Sequence, residues 1–213
     1  MNLNEEYINF LTTNFYPKLI KIIDENYSEY IGTKDFYPQL IKDVFKTKKK
    51  KIYDEKLFKD MENIEYYAQN ILYADSNLEI DFSKKHINDV IEYLKNKGYS
   101  NIYLFRNDQD LAIYNFDNGK AFYPDFILIC EYKKEQIHYQ VFIEPKGKHL
   151  QDSPEEKAKQ DFLLSIKNNN TLNKDTFKLD TDKYILFGMR FFTDDDNNNS
   201  QKWNEELKNE FKG

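Results

Sequence analysis

Between residues 101 and 144 the chain gives up helical spacing for short segments rich in aromatic and β-branched residues, and this change of period restricts the fold more than any other feature. The segments 101–106, 111–116, 121–130 and 137–144 are separated by turn material, Asp117-Asn118-Gly119 and Lys133-Lys134-Glu135, which predicts an antiparallel meander. Helical patterns flank it. Ser76 with Glu79 three residues on has the form of a capping box, Ile87, Val90, Ile91 and Leu94 share a face, and Gly98 is the stop. On the far side Ser153-Pro154-Glu155-Glu156 supplies an N-cap, a proline at the first helical position and a capping-box glutamate ahead of Ala158, Phe162 and Ile166. Residues 184–192 form an almost continuous apolar run, as expected of a strand covered on both faces, and Trp203, Leu207 and Phe211 mark a last helix. The fold class is therefore α/β with a mixed sheet, in the order helix, three or four strands, helix, strand, helix.

Ahead of this unit, residues 1–75 read as helical pieces punctuated by Pro17, Gly32 and Pro38. The clearest piece is 54–72, where Leu57, Met61, Ile64, Ala68 and Ile71 recur at the spacing of a buried stripe. Two regions follow: a helical connector or accessory region over 1–75 and a second domain over 76–213.

At 213 residues the chain can bury a core without a covalent staple. A single cysteine, Cys130, excludes an internal disulfide and a cysteine-rich zinc site and suits a reducing cytoplasm. The N-terminal residues lack the pattern of a signal peptide, and no apolar run approaches the roughly 20 residues that span a bilayer. A soluble, cytoplasmic protein with no membrane partner is expected. The formal charge of −6 argues against a protein that coats nucleic acid by bulk electrostatics, although carboxylates at a metal site are neutralised by their cation.

The chemistry lies in Tyr123-Pro124-Asp125 and Ile143-Glu144-Pro145-Lys146-Gly147. A magnesium-type cation takes hard oxygen ligands and keeps several waters, so a hydrolytic site needs carboxylates held on rigid elements. Asp125 falls within one expected strand and Glu144 ends the next, and a hairpin would set them side by side. Lys146, two residues beyond Glu144, projects to the same face. An acidic pair with a fixed ammonium is suited to phosphodiester hydrolysis: the acids hold the metal, and the lysine orients the nucleophile or offsets charge in the transition state. Gly147 lets backbone approach a substrate, and the Pro145 carbonyl is a further candidate ligand. Each half alone is common on strand surfaces, but Asp125 precedes an apolar run where an unpaired carboxylate is costly to bury.

These residues resemble the PD-(D/E)XK nuclease superfamily. The segments Leu104-Phe105-Arg106-Asn107, Tyr123-Pro124-Asp125-Phe126-Ile127-Leu128 and Phe142-Ile143-Glu144-Pro145-Lys146-Gly147-Lys148-His149-Leu150 are most similar to the C-terminal endonuclease domain of type III restriction enzyme Res subunits, over roughly residues 74–168. The resemblance implies a restriction-endonuclease-like core of helix, three-stranded meander, helix and strand, and a Mg²⁺-dependent endodeoxyribonuclease in which Mn²⁺ can substitute. Asp125 and Glu144 would be the metal ligands, and Asp125, Glu144 and Lys146 the catalytic residues. It also implies double-stranded DNA as substrate, with a helicase/ATPase region or subunit and a DNA-modification subunit as partners. Glu79 matches a glutamate that often joins such sites, and it could equally serve only as a helix cap. Such subunits carry an ATP-driven motor; no two of the six glycines here are spaced for a phosphate-binding GxxxxGK[ST] loop, so this chain is not expected to hydrolyse ATP. A different class of function remains open: a nuclease-fold module that binds DNA or docks on another subunit without cutting.

Among the basic residues, Lys148, Lys157 and Lys159 follow the active-site strand and are the candidates for phosphate contact. The basic run Lys46, Lys48, Lys49, Lys50 and Lys51 reads as a solvated loop or, alternatively, a phosphate contact. Asp194-Asp195-Asp196 with the asparagines after it reads as loop over 194–200, and His86, His138 and His149 lack ligand spacing.

Overall fold

The computed structural model describes residues 3–19, 21, 58–61, 63–69, 71–115, 117–148, 153–168, 178–179, 182–193 and 197–211. Among these the elements are α1 (Leu3–Phe10), β1 (Phe58–Asp60), β2 (Ile71–Tyr73), α2 (Asn77–Asp81), α3 (Asn88–Asn96), β3 (Ser100–Arg106), β4 (Ile113–Tyr114) and β5 (Ala121–Phe122). They continue with β6 (Phe126–Tyr132), β7 (Ile137–Ile143), α4 (Pro154–Asn168), β8 (Lys178–Leu179), β9 (Asp182–Gly188) and α5 (Asn197–Asn209).

Alternation along β6 sets the layers. Phe126, Leu128 and Cys130 point to one face and Ile127 to the other, the two-residue period of a strand buried on both sides. On the first face they meet Leu94 of α3 and Trp203 and Leu207 of α5; on the second, Ile127 and Phe142 meet Phe162, Leu163 and Ile166 of α4. Each such apolar side chain removed from water contributes roughly 1.5–3 kcal/mol, so these two clusters dominate the cohesion of the fold. The sheet between them runs β3-β6-β7-β9-β8, antiparallel at β3–β6 and β6–β7 and parallel at β7–β9. The parallel step needs a crossover, which α4 belongs to. It lies so close on β9 that a Cβ on Gly188 would come within 2.5 Å of the Leu163 carbonyl oxygen.

The expected mixed α/β sheet is present. Its meander is three-stranded, because only Ile113–Tyr114 of the 111–116 segment forms a strand and it pairs with β5 outside the main sheet. The expected strand 121–130 breaks at Tyr123–Asp125, where Pro124 has no N–H to give a ladder.

Two readings are corrected. The described part of the 54–72 stripe is not a helix: β1 and β2 pair as an antiparallel hairpin. Of the expected stripe Met61 is buried in the first cluster and Ile64 packs against it, but Ala68 is exposed and the burial passes to Tyr67 and Leu72, off the helical spacing, because the chain folds back. The competing demand is the edge of β3. Leu104 N–H donates to the Tyr66 carbonyl at 2.7 Å and Ala68 N–H to the Leu104 carbonyl at 3.0 Å, and a helix could not cover that edge. Residues from Met61 onward therefore share the core of the second region, and helix among the described part of 1–75 is confined to its N-terminal end. The loop reading of 194–200 also fails in part, since Asn197–Asn209 is helix; Asp194–Asp196 lie outside the described residues. The basic run over 46–51, Gly32, Pro38, Leu57 and His149 also lie outside them.

Candidate functional site

Register brings the two predicted acids together. Phe126 and Ile143 are paired on β6 and β7, so Asp125 and Glu144 occupy the next rung, and the Asp125 N–H donates to Glu144 Oε2 at 3.0 Å. Beyond β7 the chain stays extended against the segment after β9. Phe192 N–H donates to the Glu144 carbonyl at 3.0 Å and Lys146 N–H to the Phe192 carbonyl at 2.9 Å, which fixes Lys146 on the side of Glu144. Lys146 Nζ lies 3.4 Å from Glu144 Oε1 and 3.3 Å from Glu156 Oε2, above the ring of Phe191.

A second group of charges sits beside the first. Ser76 caps α2 by accepting from the Glu79 N–H, so the capping reading of Glu79 is realised. The same carboxylate also reaches inward: Glu79 Oε1 accepts from Ser76 Oγ at 3.1 Å, while Oε2 takes the Asp75 N–H at 3.2 Å and lies 2.9 Å from Arg106 Nη2. Arg106 ends β3, opposite Phe126 on β6, and its Nη1 meets Asp125 Oδ1 at 2.5 Å and the Asp125 carbonyl at 2.9 Å. Glu79 and Asp125 are thus joined through a guanidinium. Gln69 holds the Arg106 backbone by paired bonds, donating to its carbonyl at 2.8 Å and accepting from its N–H at 3.0 Å. Asn107 fixes the other side, donating to the carbonyls of Leu111 and Pro124.

Electrostatics follow from burial. The Glu144 carboxyl is pushed up to about 8 by burial and by the charge of Asp125, with Lys146 only partly offsetting them. Burial also pushes Glu79 up to about 7 against the pull of Arg106. Burial works to lower Lys146, but Glu144 and Glu156 outweigh it and its ammonium is held above the ordinary lysine value. Glu156 is lowered: burial opposes its charge, and Lys159 and Lys146 prevail.

The donor set suits a divalent cation in part. Asp125 and Glu144 offer hard oxygens from neighbouring strands, and the Glu144 carboxyl is raised first by its burial and then by the charge of Asp125 beside it. That fits a cation held by two carboxylates and its own waters. It does not fit an all-protein cage, since among the described residues no three His, Cys, Asp or Glu side chains group closely enough to hold a metal.

Of the lysines expected to meet phosphate, Lys148 and Lys157 are exposed. Lys148 borders a pocket of about 270 Å³ with Gln160, Arg190, Phe191, Thr193 and Trp203. Lys159 is engaged within the protein, 2.7 Å from Glu156 and 3.3 Å from Glu155. Three residues at the site escaped sequence reasoning in these roles. Glu156 was assigned to the cap of α4, which its backbone N–H does join by donating to Ser153 Oγ, yet its side chain points to Lys146. Arg106 and Gln69 act across 19 and 37 residues of sequence, beyond any local pattern.

Comparison with known proteins adds the following. A family model for a C-terminal domain, HI_1054_C, matches residues 29–212. An uncharacterized protein of Haemophilus influenzae (strain ATCC 51907 / DSM 11121 / KW20 / Rd) is 33% identical over 199 residues, covering 85% of this chain and 41% of that protein. The chain therefore spans less than half the length of this relative. No solved structure matches.

Proposed function

The chain belongs to the HI_1054_C family, and we propose that it is a metal-dependent endodeoxyribonuclease of the PD-(D/E)XK type, with a restriction-endonuclease-like core. The observation that carries this reading is the convergence of Asp125, Glu144 and Lys146 at the end of β6–β7, with Lys146 Nζ 3.4 Å from Glu144. The order α2–α3, β3-β6-β7, α4, β9 supports the same core.

In this reading Asp125 and Glu144 hold a Mg²⁺ ion, with Mn²⁺ as a substitute. The ion supplies Lewis-acid polarisation of a phosphodiester and a bound water of lowered pKa. Lys146, kept protonated by Glu144 and Glu156, places a positive charge where the phosphorus oxygens gain negative charge. Glu156 orients that ammonium and takes no part in the reaction itself. Glu79 acts on Asp125 only through Arg106, as a positioning residue. The substrate is double-stranded DNA in the cytoplasm, and the setting is a type III restriction system with a helicase/ATPase region and a modification subunit. A relative of which this chain covers 41% has room for such a region. No described helix is long and apolar enough to cross a membrane.

Plasmid nicking with Mg²⁺ and then Mn²⁺ tests the proposal. Asp125→Ala and Glu144→Ala should each lower cleavage by about 100-fold or more with the fold retained by circular dichroism. Full activity in either variant removes that residue from the mechanism. One observation favours a second reading, a DNA-binding or subunit-docking module that does not cut: Arg106 already occupies Asp125. Duplex binding without nicking in either metal, alone or with a motor subunit, would select it.

A further inference from the structure

The guanidinium of Arg106 lies between acids contributed by two separate elements. Nη2 is 2.9 Å from Glu79 Oε2 of α2 and 3.2 Å from Asp75 Oδ2; Nη1 is 2.5 Å from Asp125 Oδ1 and also reaches the Asp125 carbonyl. The side chain is 7% exposed, and its Cζ lies over the ring of Phe126, 5.3 Å from the centroid. An arginine cannot lose its proton, and its planar fork holds carboxylates on opposite sides at fixed geometry, where the three donors of an ammonium turn freely. Burying it beside a catalytic acid is costly unless the charges it compensates would otherwise be worse placed.

We infer that Arg106 is the resident counter-ion of the metal-free site: it holds Glu79 and Asp125 together until a divalent cation arrives, and that cation must compete with it for Asp125. The inference rests on the nuclease reading for the place of the cation, not for the arginine contacts. Two cations drawing on one carboxylate weaken each other, so Arg106 sets the affinity for the metal below what Asp125 and Glu144 alone would give. It also explains how a cluster of buried acids can fold before any metal binds. A purely structural arginine would behave differently, stabilising the metal-free and metal-loaded protein alike and leaving metal affinity unchanged.

The test is titration of the whole chain with Mn²⁺ alone by calorimetry, beside thermal unfolding in EDTA and in saturating Mn²⁺. Arg106→Gln should bind Mn²⁺ about 10-fold more tightly than the natural protein, a coupling of ordinary size between two sites. It should also unfold at a lower temperature in EDTA, with a wider gap between the two conditions. Arg106→Lys keeps a charge but loses the rigid fork that reaches Glu79 and Asp125 together, so about 3-fold tightening is expected, and it decides the matter if Arg106→Gln does not fold. Unchanged or weaker Mn²⁺ binding in the folded variants overturns the inference. If the natural protein binds Mn²⁺ and cleaves DNA in that case, the nuclease reading survives alone. If no chain binds Mn²⁺, the inference and the metal part of that reading fall together.

Discussion

The two halves of the site are built from similar acids and differ in the cation that serves them. Around Glu79 and Asp125 the cation is a guanidinium 7% exposed, locked by acceptors on three segments. Around Glu144 and Glu156 it is an ammonium 19% exposed, with Lys159 at 34% behind it. A buried planar fork fixes distances between elements, whereas a compact charge on a flexible stem can turn toward whatever anion arrives. The arginine half therefore fixes the architecture of the acids, and in the proposed nuclease the lysine half would face the substrate.

Cleavage should divide along that line, and this is the largest effect expected. Lys146→Ala removes the charge proposed to face the transition state and should cost about 100- to 1000-fold in cleavage rate, with Mn²⁺ affinity no weaker than that of the natural protein because one cation fewer draws on Glu144. Glu79→Gln keeps the cap shape and leaves Arg106 to Asp125, so a loss of no more than about 10-fold is expected. Single-turnover nicking rates measured side by side settle it: a Glu79→Gln defect as deep as that of Lys146→Ala would merge the two halves into one catalytic unit.

Next in size is a pH effect on stability to which both halves contribute, Glu144 with its carboxyl raised to about 8 and Glu79 with its own raised to about 7. Glu144 holds its proton in the folded chain up to about 8, well above the ordinary carboxyl value of 4.5 that applies when unfolded. Between those values the folded state binds the extra proton, so its stabilisation is complete at the acid end and is lost as pH rises through about 8. In EDTA the melting temperature should fall by about 5 °C from pH 5 to pH 8, and Glu144→Gln should reduce the slope to the part that Glu79 supplies. Saturating Mn²⁺ should reduce it as well, because the cation takes the place of the proton. A melting temperature that rises across this window in the natural protein would mean that Glu144 is ionised and paired without metal.

The same contrast explains how much of the molecule could be read from sequence. Strands β6 and β7, the two capped helices and the trio Asp125, Glu144 and Lys146 were legible because each depends on local signals: alternation, caps, and a two-residue offset on one strand. The lysine half is therefore mostly visible in the sequence. In the arginine half Glu79 and Asp125 were candidates, but their joining through Arg106 was not legible, since Arg106 meets Asp75, Glu79 and Asp125 from distant parts of the chain and carries no periodic mark. The β1–β2 segment failed for a related reason. Its apolar residues recur at helical spacing, but the uncovered edge of β3 recruits the backbone of Tyr66 and Ala68, and that demand arises only once the sheet exists. Glu156 shows a milder version, with its backbone role predicted and its side-chain role set by Lys146 across the fold.

The smallest effect expected concerns phosphate contact and asks how far the substrate-facing half extends. Lys148 and Lys157 are exposed, whereas Lys159 sits between Glu155 and Glu156 and Arg106 is enclosed. Each lysine that meets a phosphate contributes close to one counterion, so Lys148→Ala or Lys157→Ala should reduce the slope of log K against log salt by about 1 each. Lys159→Ala and Arg106→Gln should leave the slope within about 0.3 of the natural value, because their charges are already committed to carboxylates. Fluorescence anisotropy of a labelled duplex in EDTA over a series of salt concentrations gives the slopes. A larger change for Arg106→Gln than for Lys148→Ala would place DNA against the arginine half and reverse the assignment of the two faces.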